Sequence, residues 1–166
     1  MAANKYVSQV AGKLKEIYAS VTSTPNAIVA ADSTGRIDMS MMPVGVGAEI
    51  VLAVASEALS TGAFVNLYNN AGVLNVRNAD NTTNGKKAHG FVIAAVASAG
   101  TASVYTVSQS NTQLTGLVAG SDYFLSTIGT ISVTPPSSTG NLVQQLGVAA
   151  STTSLVFSNL VTIEIG

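Results

Sequence analysis

From Glu49 onward the chain is cut into short runs rich in Val, Thr and Ser, with Gly, Asn, Ser or Pro between them. That spacing points to a mainly β fold, a small antiparallel sandwich or barrel. The runs 50–55, 63–68, 73–77, 90–97, 101–107, 122–126, 130–134, 142–149, 154–158 and 161–165 read as strands. Asn69-Asn70-Ala71-Gly72 joins two of them as a hairpin turn, and Thr127-Ile128-Gly129 joins another two. Thr-, Ser- and Val-rich strands suit a sheet with one solvated face. A weak echo, Leu-x-x-Gly-x-x-apolar-x-Leu, recurs at 59–67 and 117–125. Two copies are too few for a repeat architecture. They read as one local solution used twice.

The N-terminus carries a different period. Val7, Val10, Leu14, Ile17 and Val21 fall at 3-4-3-4 spacing, and Tyr6, Ala11 and Tyr18 widen the stripe to an arc of about 140°. The spacing predicts an amphipathic helix over 6–21, with Gly12 costing it about 1 kcal/mol. Pro25 ends the pattern. Residues 27–31 read as a short strand, and Asp32-Ser33-Thr34-Gly35 as a turn. Ile37, Met39, Met41, Met42 and Pro43 follow and read as an extended contact arm, where methionines adapt to irregular surfaces, or else as residues that fill gaps in the core. The expected organisation is therefore a helix in 1–24, an arm in 25–48 and a β domain in 49–166.

Composition narrows the function. Only 9% of residues are charged, where about 25% is usual. The formal net charge of −1 argues against a nucleic-acid partner, which needs a basic face. The absence of Cys excludes a thiolate site, and one His excludes a multi-histidine metal centre within the chain. The most apolar window, 91–99, is about half of the roughly 20 residues a membrane helix needs, so no membrane partner is expected. There is no basic-then-apolar leader pattern.

Candidate chemistry is sparse. His89, in Lys86-Lys87-Ala88-His89-Gly90, is the imidazole a Ser-His-Asp site would need; a loop histidine is the plainer reading. Asp32-Ser33-Thr34-Gly35 has one residue too many for an aspartic-protease loop and no second copy. Gly45-Val46-Gly47 lacks the third glycine of a dinucleotide loop. Asn81-Thr82-Thr83 fits a glycosylation acceptor in sequence alone. No enzyme activity, cofactor or metal is expected.

Several strings carry a family resemblance. Residues 58–72 read Ala-Leu-Ser-Thr-Gly-Ala-Phe-Val-Asn-Leu-Tyr-Asn-Asn-Ala-Gly. Residues 114–126 read Leu-Thr-Gly-Leu-Val-Ala-Gly-Ser-Asp-Tyr-Phe-Leu-Ser, and 143–149 read Val-Gln-Gln-Leu-Gly-Val-Ala. With the upstream segment 34–47, this succession resembles the small β domains of tailed-bacteriophage head decoration (capsid cement) and head-fibre proteins. The resemblance implies a homotrimer on the outer capsid surface of the virion, with the phage major capsid protein as partner and no catalytic residues. Under it, Tyr6, Val7, Val10, Leu14, Ile17, Tyr18 and Val21, with Ile37, Met39, Met41, Met42 and Pro43, are the expected oligomer or capsid contacts. The alternative is a fibre or spike module that binds a host-surface receptor or glycan.

Overall fold

The structure, a computed structural model, describes residues 5–10, 12–22, 27–33, 35–38, 41, 49–158, 160 and 162–166. The chain divides into two units, Met1–Gly47 and Ala48–Gly166.

In the first unit the expected helix over 6–21 is replaced by a hairpin. Strands β1 (Lys5–Val10) and β2 (Lys13–Ser20) pair antiparallel, from Lys5↔Tyr18 to Val10↔Lys13. Two features of the sequence explain the correction. Gly12, a helix weakener, adopts φ +76° and serves the turn between the strands. Val7, Val10 and Ile17 are β-branched, and Tyr6 and Tyr18 are aromatic, which favours a pleated strand. The register divides the supposed stripe. Val7, Leu14 and Tyr18 fall at positions of one face, and Tyr6, Val10 and Ile17 at positions of the other. The strand expected at 27–31 is present as β3 (Ile28–Val29), parallel to the end of β2. The Asp32 turn also forms. Gly35 N–H donates to the Asp32 carbonyl at 3.0 Å, and Arg36 N–H donates to Asp32 Oδ1 at 3.0 Å.

The second unit holds a closed barrel and an open sheet. The barrel runs β4 (Ile50–Ala55), β6 (Val73–Asn78), β5 (Phe64–Asn70), β7 (Gly90–Phe91), β8 (Thr101–Tyr105) and back to β4. Only the β4–β6 pair is parallel. The open sheet is ordered β11 (Ile131–Ser132), β10 (Asp122–Leu125), β12 (Leu142–Ala149), β13 (Leu155–Phe157), β9 (Ser110–Asn111), with β14 (Thr162–Glu164) also on β12. Strands 50–55 and 142–149 match their sequence limits. The run 90–97 keeps only two strand residues plus the Leu59↔Val96 bridge, and β9 had no counterpart in the sequence reading.

Alternation along the strands builds two cores. Ala53, Ala55, Val65, Val76, Ala102 and Val104 fill the barrel. Phe64, Phe91, Leu125, Leu146, Leu155 and Phe157 form a second cluster, which joins barrel strands to the open sheet. Three phenylalanine rings are its centre. Phe157 lies 5.6 Å from Phe64 and 6.2 Å from Phe91, and Phe64 lies 6.0 Å from Phe91, at tilted or edge-on angles that aromatic rings prefer.

The repeated sequence motif opens both halves of this unit. In each copy the first Leu (Leu59, Leu117) is buried and the Gly (Gly62, Gly120) has positive φ. Each following strand enters a hairpin. Ala71-Gly72 and Ile128-Gly129 both have positive φ at both turn residues, the primed geometry that matches strand twist.

Candidate functional site

The segment 84–89 is held in one shape by side chains from three strands. Asn66, on β5, is fully buried in the middle of an apolar run. Its Nδ2 donates to the Lys87 carbonyl at 2.8 Å, and its Oδ1 accepts from Arg77 Nε at 3.0 Å. Arg77 is the register partner of Asn66 on β6. Its Nη2 donates to the Gly85 carbonyl at 3.3 Å, and its guanidinium sits 4.3 Å from the Tyr68 ring centroid. Gln144, on β12 and fully buried, accepts from Ala88 N–H at 2.7 Å and donates to the Ala88 carbonyl at 2.8 Å. Neutral amides thus satisfy the Lys87 carbonyl and the backbone of the buried Ala88, at a smaller desolvation cost than charges would carry.

His89 completes the loop. It is half-buried rather than exposed. Leu67 N–H donates to its Nδ1 at 3.0 Å, which leaves the proton of the neutral ring on Nε2. Burial, and then the Lys87 charge, push its pKa below the ordinary value. A Ser-His-Asp site needs Nδ1–H donating to a carboxylate, and this nitrogen instead accepts from backbone.

The loop borders a cleft of about 340 Å³. Asn84, Lys87, His89, Leu142, Thr162 and Glu164 line it. Asn84 Nδ2 donates to Glu164 Oε2 at 2.8 Å and ties the loop to β14. The cleft therefore presents an ammonium, a carboxylate, amide and hydroxyl groups and one leucine, a set suited to a small polar ligand. At the base of the loop, Asp80 Oδ1 accepts from the Thr82 hydroxyl at 2.6 Å and from Thr82 N–H at 2.8 Å. Burial alone pushes the Asp80 pKa up. The two Thr82 bonds, the Ile128 N–H and Lys86 outweigh it and hold the carboxyl below its usual range. Asn81, the glycosylation match, is buried, which removes it as an acceptor in the folded chain.

The oligomer or capsid contacts expected from sequence are a different set of residues from those that line this cleft. Val7, Leu14, Val21 and Ile37 are exposed, and Met41 is half-buried in a turn where its N–H donates to the Asp38 carbonyl. For Tyr6, Val10, Ile17 and Tyr18 the structure describes backbone placement alone, and Met39, Met42 and Pro43 lie outside the described residues. Sequence reasoning missed Asn66, Arg77, Gln144 and Glu164. The available signal was a polar residue inside an apolar strand, as in Phe64-Val65-Asn66-Leu67-Tyr68.

No family model and no curated protein matches the sequence. Among solved structures, the chain is similar to the N base of head fiber gp8.5 of bacteriophage phi29. The identity is 13% and the TM-score 0.43, over 71% of this chain and 93% of that one.

Proposed function

We propose that this chain is a structural protein of a tailed-phage head, which binds the outside of the capsid as a trimer and stabilises the shell without catalysing a reaction. The N-terminal sheet is the observation that supports an assembly role. Among the residues of this sheet whose side chains are described, Val7, Leu14, Ile28 and Val29 are exposed and none is buried. A small sheet of two or three strands gains its stability by packing an apolar face against a partner. The sequence resemblance over 34–166 supplies the kind of assembly. The energetic mechanism is mass action, since a protein that binds only the assembled shell stabilises it by its binding free energy. Purified chain added to undecorated heads should bind at saturable stoichiometry and raise the temperature at which they release DNA. Absence of binding would remove the proposal.

The cleft beside 84–89 favours a second reading, a fibre or spike module that holds a host-surface ligand. Binding of the purified chain to host cells, with none to heads, would select it.

A further inference from the structure

We propose that Asn84-Gly85 is a self-modification site, where loss of the Asn84 amide frees the 84–89 loop from β14. This is the one Asn-Gly pair in the sequence. Both residues are exposed. Gly85 adopts φ +81°, and a Cβ built on it meets nothing within 4 Å, so the backbone beside Asn84 is open on that side. The other loop-clamping amides differ. Asn66 and Asn111 are fully buried, and each uses both side-chain polar atoms in hydrogen bonds within the body.

The chemistry needs no partner beyond water. The Gly85 backbone nitrogen attacks Asn84 Cγ, forming an N–C bond and a five-membered imide. The Cγ–Nδ2 bond breaks, and the nitrogen leaves as ammonia with the proton that Gly85 gives up. Water then opens the ring at either carbonyl, giving aspartate or its β-linked isomer. No group is oxidised or reduced.

The consequence follows from what Asn84 touches. Its Nδ2 is the donor to Glu164 Oε2 at 2.8 Å. The product has no donor there and sets a second carboxylate beside Glu164, an arrangement that like charges oppose. Lys87, on the same cleft, offers the new carboxylate an opposite charge on the loop's own side. What then holds β14 is its backbone pairing with β12, from Leu142↔Glu164 to Gln144↔Thr162, and the bonds of Ile165 to Gly140 and Asn141. The cleft loses its bridge, and the end of the chain is held on one side.

The full chain, folded and aged in mildly alkaline buffer, would be digested and read by mass spectrometry. The expected result is an amide-to-acid gain at Asn84, with part of the product β-linked, and loss of that gain in Gly85→Ala. An intact Asn84 in the folded chain, under conditions that convert the urea-unfolded chain, would overturn the proposal, as would conversion of Gly85→Ala at the wild-type rate. Asn84→Asp tests the release separately. Faster amide hydrogen exchange at 162–165 is expected, and unchanged exchange there would overturn the release.

Discussion

In residues 48–166, Phe64, Phe91 and Phe157 are fully buried against one another, and a barrel interior lies beside them. In residues 1–47, Val7 and Leu14 belong to one face of a hairpin and are 71% and 79% exposed. Both units are made of strands, and both contain β-branched residues. The difference is whether alternation places the apolar set on one side. In β8 it does, because Ala102 and Val104 are buried while Thr101 and Ser103 are exposed. In the hairpin the register divides the apolar residues, with Val7, Leu14 and Tyr18 at positions of one face and Tyr6, Val10 and Ile17 at positions of the other. The second unit has two buried clusters of its own, and on the proposed reading the first is completed by what it meets.

The contrast can be broken at its strongest point first. Phe91→Ala removes the ring that touches Phe64, Phe157 and Tyr105. It should cost about 3–5 kcal/mol in denaturant unfolding. A loss under about 1 kcal/mol would mean that the aromatic cluster is not the core of the second unit. Gln144→Ala strands the Ala88 N–H and carbonyl. A loss of about 2 kcal/mol is expected, from the cost of buried unpaired backbone groups. Gln144→Glu should also destabilise, since a carboxylate cannot donate to the Ala88 carbonyl.

A smaller effect is expected from pH. His89 is held neutral in the fold, with its pKa below the ordinary value of about 6.5. Between the folded and unfolded values the unfolded chain binds more protons, so stability falls as pH drops below about 6.5 and levels off below the folded value. His89→Gln should flatten that dependence, read as unfolding midpoints across the window. The smallest effect on stability should come from removing residues 1–24. The core residues of the second unit all lie in 53–157, so its unfolding free energy should change by less than about 0.5 kcal/mol.

The sequence made the β body legible because strand and turn signals there are local. Ala71-Gly72 and Thr127-Ile128-Gly129 mark the turns that form, and the strands 50–55 and 142–149 are found at their own limits. The hairpin was misread for a physical reason. Val7, Val10, Leu14, Ile17 and Val21 satisfy a period near 3.5, and the cost of Gly12 to a helix looked tolerable, while the same glycine is what a two-strand turn uses. The cleft could not be read from spacing. Asn66 and Lys87, or Asn84 and Glu164, meet only through barrel closure and the return of β14, across 21 and 80 residues. The charge-poor composition acquires a structural sense as well. Asn66, Asn111 and Gln144 tie loops to strands with neutral amides, which need neither counter-charges nor the desolvation of ions.

The central claim is that the N-terminal unit is completed by assembly, and the mass of the purified chain in solution tests it most directly. The intact chain should sediment as a trimer, and the chain lacking 1–24 as a monomer with an undiminished unfolding free energy. A monomeric intact chain that also fails to bind heads, or a truncated chain that trimerises and decorates heads as fully as the intact one, would contradict it.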